Sequence, residues 1–236
     1  MRANNVMRLR WPNPVGLAAG VDRHGRCLAK HAAAGFGAIE IGTIRPDSLG
    51  EAVANLTRWR ESRGQDSPAV GANIGCCPGA SWPEAEAQYR WLAARLAPWV
   101  DYLVVNPTAL AEARPRRLVR LLDSVRHHVA GVPLLIKLAT LAPALRLERL
   151  SRLGYDGLVL VLPDHPWDER PAWLRILRVS ERRGMTVVAV GGIDSPDRVR
   201  HCLASGASMV QVHRPYVSGG ERLITRLLDG CLPAAV

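Results

Sequence analysis

Lysine is almost absent from this chain. Of its 31 basic residues only Lys30 and Lys137 are lysines, and arginine fills the other positions. Phenylalanine occurs once, and the seven Trp and four Tyr are scattered. That distribution excludes an aromatic platform for stacking single-stranded nucleic acid. The five cysteines, Cys27, Cys76, Cys77, Cys202 and Cys231, are odd in number and show no CxxC spacing. They oppose a disulfide framework and a cysteine zinc site, and no metal is expected. No apolar run approaches the roughly 18 residues of a membrane span. The first twelve residues, with Arg2, Arg8 and Arg10, lack the apolar core of a secretion signal. These absences predict a cytoplasmic protein without a membrane partner. No low-complexity tract or Gly/Ser linker divides the 236 residues, and 48% hydrophobic with 22% charged residues suits a single large domain. The net charge of +10 invites an anionic partner. Because the arginines are spread along helical segments, a small anionic cofactor or substrate fits better than nucleic acid.

What is present is a regular alternation. Short apolar runs span Pro14 to Gly20, Ala38 to Ile44, Ala69 to Gly75, Asp101 to Pro107, Pro133 to Ala139, Gly157 to Leu162, Thr186 to Gly192 and Met209 to His213. Amphipathic helical patterns lie between them. Trp82 to Ala97 carries Tyr89, Leu92 and Leu96 on one face, and Arg114 to Val129 carries Leu118, Leu121, Leu122 and Val125. Ser81-Trp82-Pro83-Glu84 and Ser195-Pro196-Asp197 read as helix starts. Pro46 to Pro68 reads as a loop and is the least patterned stretch. Near-continuous apolar strands separated by helices imply a parallel sheet buried on both faces. Eight such units predict an α/β fold of the (β/α)8 TIM-barrel type, with a doubly wound open sheet as the alternative.

In such a barrel, chemistry gathers at the C-terminal ends of the strands. Those ends carry Ala19, Gly20 and Arg23, then Thr43, Asn73 with Cys76, and Asn106 with Thr108. Lys137, Gly191-Gly192 and His213-Arg214 complete the set. Lys137 sits inside Leu134-Leu135-Ile136-Lys137-Leu138. An ammonium in such a run is costly without a partner, which makes it a candidate site residue. Gly191-Gly192 precedes the helix opened by Ser195-Pro196. Paired glycines and a following helix start suit a phosphate group, and Arg214 could add a bidentate contact.

At these residues the chain resembles the dihydroorotate dehydrogenase family of FMN-binding barrels. Asn13 to Asp22 is similar to that family's opening strand, Gly35 to Thr43 to its second, and Asn73-Ile74-Gly75 to the end of its third. Asn106 matches the close of the fourth strand and Ile136 to Ala139 the fifth. Val190 to Ser195 and Gly206 to Gln211 match the phosphate end. The resemblance covers roughly residues 13 to 225. It implies FMN in the mouth, with Ala19, Gly20, Thr43, Asn73, Asn106 and Lys137 around the ring and ribityl chain. Gly191, Gly192, His213 and Arg214 would lie at the phosphate, and Arg23 and Asn106 would meet a small-molecule substrate. Lys137 beside the flavin would stabilise its reduced, anionic form and favour hydride acceptance.

The departures are as specific. Arg23 stands where the family has a substrate-binding lysine. The ring-reading Asn loop has no counterpart between Leu49 and Ala69. Ala109 replaces the catalytic Ser or Cys, Val161-Leu162-Pro163 replaces Thr-Asn-Thr, and His213-Arg214 replaces Tyr-Ser. The first run begins soon after Met1, so the N-terminal helices of the membrane-bound, quinone-using class are not expected. Thr108 and Cys76 (or Cys77) become the candidates for the missing base, with His213 a third. The resulting expectation is an FMN-dependent oxidoreductase of dihydroorotate dehydrogenase type, possessing that family's pyrimidine-synthesis activity or a related substrate. It could be completed by a second copy or a partner subunit. The alternatives are a catalytically degenerate homologue that binds or assembles, and an enzyme resembling the tRNA-dihydrouridine synthases. The last rests on Asn73-Ile74-Gly75-Cys76-Cys77-Pro78.

Overall fold

The computed structural model describes residues 4–110, 115–138, 147–162, 171–229 and 231. Two short strands come first, β1 (Asn4–Val6) and β2 (Leu9–Trp11), paired antiparallel with Val6 opposite Leu9. The turn residues Met7 and Arg8 have φ of 55° and 62°, the mirror-image geometry that a two-residue hairpin requires. Eight parallel strands follow: β3 (Val15–Leu17), β4 (Ala38–Ile44), β5 (Ala69–Ile74), β6 (Tyr102–Val105), β7 (Leu134–Leu138), β8 (Gly157–Val161), β9 (Thr186–Val190) and β10 (Met209–Val212). They close in that order, with β10 returning to pair with β3. The eight apolar runs of the sequence are the eight barrel strands.

Helices cover the outside: α1 (Leu28–Ala33), α2 (Leu49–Ser62), α3 (Trp82–Leu96), α4 (Pro115–His127) and α5 (Leu147–Arg152) on one part of the ring. α6 (Pro171–Arg182), α7 (Pro196–Ala204), α8 (Arg214–Gly219) and α9 (Glu221–Asp229) complete it. Both expected helix starts form. The Ser81 amide donates to Glu84 Oε2 at 2.8 Å, and Ser195 precedes Pro196 at the start of α7.

The stretch 46–68 is corrected by the structure, because Leu49–Ser62 is a 14-residue helix. Its buried residues Leu49, Ala52, Leu56 and Trp59 recur at helical spacing. Polar residues between them, and Asn55 on the buried face, obscured the pattern in the sequence. The end of α2 is fixed by Arg63, which forms two bonds to Asp101 at 2.7 and 3.0 Å. Asp101 also accepts the Val70 amide, tying helix end to two strand starts.

Strand alternation divides the apolar residues into two cores. Odd-numbered positions of β4 such as Ile39 and Ile41 face the helices, and Ala38 and Glu40 face the barrel axis. The axial core contains Trp11, Ala38, Ala69, Tyr102, Leu135, Val159, Val188 and Met209. Trp11 comes from the hairpin, not from a barrel strand, and it is fully buried. Its ring packs on Tyr102 at 5.5 Å between centroids. Such a pair adds about 0.5–1.5 kcal/mol to the burial of its area. Small residues make the room. A Cβ on Gly71 would lie 2.1 Å from the Tyr102 ring. The hairpin thus plugs the N-terminal end of the barrel and leaves the C-terminal end as the mouth.

Two glycine substitutions test this packing by urea unfolding. Gly71→Ala, forced against a ring that Trp11 holds, lowers stability by about 1–3 kcal/mol. Gly50→Ala lies in α2 with open space around it, and it raises stability by about 0.5–1 kcal/mol.

Candidate functional site at the barrel mouth

The mouth holds a cavity of about 750 Å³, within the range of small-molecule and cofactor sites. Lys137, Gln211 and His213 line it, with Gly191, Gly192 and Arg214 toward the ends of β9 and β10. Ala18 and Ala19 contribute the β3 side. Six of the sequence candidates therefore share one cavity: Ala19, Lys137, Gly191, Gly192, His213 and Arg214.

Local backbone explains the glycines. Gly191 has φ of 117°, and a Cβ there would lie 2.5 Å from the Leu162 carbonyl oxygen. Gly20, with φ of 108°, leaves space for His213, whose Nε2 would be 2.8 Å from a Cβ at that position. The chain thus approaches the mouth more closely than any side-chain-bearing residue permits. Arg198 of α7 also lines the cavity. It donates to the Gly192 carbonyl and pairs with Asp194 at 3.5 Å.

The imidazole of His213 is held below the usual histidine range. Burial is the main cause, and the positive charges of Lys137 and Arg214 add to it. At neutral pH this ring is uncharged and lies in the same cavity as the lysine.

The amide candidates form a separate cluster. β4 bulges against β5 between Gly42 and Ile44, which turns Thr43 toward its neighbours. Thr43 Oγ1 donates to Asn73 Oδ1 at 2.9 Å. Asn106 Nδ2 donates to both Thr43 Oγ1 and Asn73 Oδ1 at 3.1 Å. Thr108 Oγ1 donates to Asn106 Oδ1 at 2.5 Å, and the Thr108 amide donates to the same oxygen at 3.3 Å. Asn73 Nδ2 is directed down into the barrel, to Glu40 Oε1 at 2.9 Å. Each of these amide groups is occupied by its neighbours.

The remaining candidates are placed apart from the cavity. Cys76 is buried on the outward side in the core shared with α3, and burial pushes its thiol up. Cys77 is half-buried, with its backbone amide donated to Gln88. Arg23 is exposed on the loop after β3. Thr108 is exposed beside Asn106, which is no base.

Two interior residues escaped the sequence reading, Glu40 of β4 and Gln211 of β10. Both are buried, and Gln211 Nε2 donates to Glu40 Oε2 at 2.8 Å. The signal that marked Lys137, an ionisable group inside an apolar run, marks Glu40 equally well.

A cluster behind the mouth holds the loop after β3. Asp22 accepts the amides of Arg26 and Cys27 at 2.9 and 2.8 Å. His31 of α1 lies 3.9 Å from Asp22 and, on its other face, 3.2 Å from the hydroxyl of Tyr216 in α8. Phe36 packs edge-on against both rings.

A (β/α)8 barrel with a glycine- and arginine-lined recess after its last two strands has the architecture in which phosphate groups are frequently held at that place. The comparisons narrow it. The family profile described as dihydroorotate dehydrogenase matches residues 1–51. Relatives named dihydroorotate dehydrogenase (quinone) from Clavibacter sepedonicus and Xanthomonas axonopodis pv. citri are 27% and 29% identical to the chain. The alignments cover 92% of this chain and about 80% of each relative (81% and 80%). The first runs over 278 positions, more than the chain contains, so that relative carries segments this chain lacks. Dihydroorotate dehydrogenase from Eimeria tenella, solved with ferulenol, superposes with a TM-score of 0.78 at 20% identity over 98% of this chain and 83% of its own. Its ligand-free form gives the same TM-score at 19% identity. Over nine-tenths of its length the chain is thus similar to dihydroorotate dehydrogenases in sequence, and it shares their fold.

Among the described residues no helix is long and apolar enough to cross a membrane, and no group of His, Cys, Asp or Glu side chains is arranged to hold a metal.

Burial outweighs Asp22 in setting the His31 imidazole low. A depressed folded-state value means that His31 stabilises the fold above the ordinary histidine value of 6.5. That stability is lost as pH falls through the lower folded value. The stability difference between wild type and His31→Asn is therefore larger at pH about 7.5 than at about 5.5, measured as urea midpoints. An equal difference at both pH values contradicts this.

Proposed function

We propose that this protein is a single-domain, FMN-binding oxidoreductase of dihydroorotate dehydrogenase type whose substrate differs from the usual one. The observation that carries the reading is one cavity joining Lys137 on its floor to the Gly191-Gly192 turn and Arg214 at its rim. The donor set suits the group. A phosphate needs backbone amides and guanidinium groups, and at Gly191, where a Cβ would collide with the Leu162 carbonyl, only glycine allows the turn that would present them. Gly191, Gly192, Arg198 and Arg214 would hold the phosphate, with His213 beside it. Ala18, Ala19 and Gly20 would line one face of the ring.

When bound, FMN supplies an acceptor for a hydride from a carbon–hydrogen bond of the substrate. Lys137, which lines the same cavity, would supply a positive charge that stabilises the reduced, anionic form.

The substrate side supports a changed specificity. Thr43, Asn73 and Asn106 are bonded to one another and to Glu40 and Thr108, and Ala109 offers no base. Thr108 directs its proton to Asn106, and Cys76 faces α3 with its thiol held up. His213, uncharged and in the cavity, is the group best able to take a proton. The same saturated amides favour one second reading, a homologue that keeps the phosphate ligand and no longer performs the family's oxidation.

The purified protein, mixed with FMN and desalted, is expected to retain the flavin absorption bands. Gly191→Val, checked for folding by circular dichroism, abolishes retention. Lys137→Met weakens it about tenfold, as loss of one charge-assisted contact does. Anaerobic bleaching by dihydroorotate then separates the usual substrate from a changed one. A colourless protein that does not bind FMN ends the flavin reading.

A further inference from the structure

The inward-facing positions of the eight strands carry one anion and one cation. Glu40 of β4 is fully buried. Its carboxylate is used on both oxygens by donors, Asn73 Nδ2 at Oε1 and Gln211 Nε2 at Oε2. Acceptance at both oxygens is the pattern of an ionised carboxylate, since a protonated one must donate from one of them. A carboxylate buried this deeply needs an opposite charge. Lys137 of β7 supplies it from the same interior, lining the cavity floor beside Gln211.

The other charged or titratable groups around the pair are identifiable. The Tyr102 hydroxyl of β6 is buried with it, and His213 stands above, at the end of β10. Arg198, Arg214 and Asp194 lie at the rim of the cavity. Burial pushes the Glu40 carboxyl up, and the charge of Lys137 is the strongest force opposing that, ahead of the two amides.

We propose that Glu40 is the fixed counter-charge of Lys137 and a positioning residue for the mouth, holding the ammonium over the floor and balancing part of its charge. Through Asn73 the same carboxylate orients the Thr43–Asn106 cluster. Lys137 therefore meets an anionic ligand as one half of a pair. On the flavin reading, on which this consequence rests, Glu40 keeps the potential of the bound cofactor lower than an unbalanced lysine would.

The near absence of lysine makes the pair measurable. Lys30 is exposed on α1 and serves as an internal reference for Lys137. Glu40→Gln removes the charge at constant volume. Gln211 Oε1 has no partner, and turning its amide over lets it accept from the new glutamine.

The experiment is brief reductive methylation of the protein as purified, without added cofactor, with the two lysine-containing peptides quantified by mass spectrometry. In E40Q the rate at Lys137 relative to Lys30 rises roughly tenfold, the scale of a unit-charge interaction across a few ångströms of protein. An unchanged ratio in a folded E40Q overturns the proposal. If E40Q does not fold, Glu40→Asp decides. The withdrawn carboxylate raises the ratio severalfold if the pair exists, and an unchanged ratio overturns it. The flavin consequence is read separately, as a more positive potential of FMN bound to E40Q. A raised methylation ratio in a protein that binds no FMN sustains the pair and removes only the flavin reading.

Discussion

A carboxylate in a closed barrel has no route to water, and the interior of this protein is arranged around that constraint. Parallel strands closed into a ring leave no edge and one axial core, so whatever faces the axis must be satisfied there. Glu40 faces it. Two amides come to it from β5 and β10, which flank β4 on its two sides, β10 beyond β3. The one axial cation comes from β7. The residue types at the ends of four strands are thus fixed by a requirement that arises below the mouth. The polar cluster of Thr43, Asn73, Asn106 and Thr108 is the upper part of the same network.

The eight strands were legible because apolar runs in a doubly covered parallel sheet are nearly uninterrupted. Their ends also showed where Lys137, the paired glycines and Arg214 would meet. Three features were not legible, each for a physical reason. α2 carries its buried stripe among charged residues, with Asn55 turned inward to bond the His24 carbonyl. The β1–β2 hairpin turns through Met7 and Arg8 in place of the glycine or asparagine that normally announces such a turn. Cys76 and Thr108 lie near the mouth in sequence, but alternation and hydrogen bonding turn one outward and occupy the other. Spacing along the chain could not show which amides would be consumed by their neighbours.

The mouth is distinguished by how its polar groups are used. The amides of Asn73 and Asn106 bond within their own cluster and lie outside the lining of the cavity. Arginine rather than lysine surrounds the rim, and the guanidinium groups there are held by partners such as Asp194 and the Gly192 carbonyl. Recognition in such a site depends on shape and total charge more than on a hydrogen-bond code.

The Trp11 plug has a consequence for the order in which the chain can assemble. Strand β3 finds one of its two neighbours only in β10, with Val15 opposite Val210. The tryptophan that fills the floor lies just before β3, yet its pocket includes Val188 and Met209. During synthesis the hairpin emerges before β9 and β10, which finish its pocket. Every barrel strand must be made while an indole ring, destined for complete burial, waits outside. Pairing β3 with β10 and inserting that ring both need contacts between distant parts of the chain, the kind of contact that slows folding.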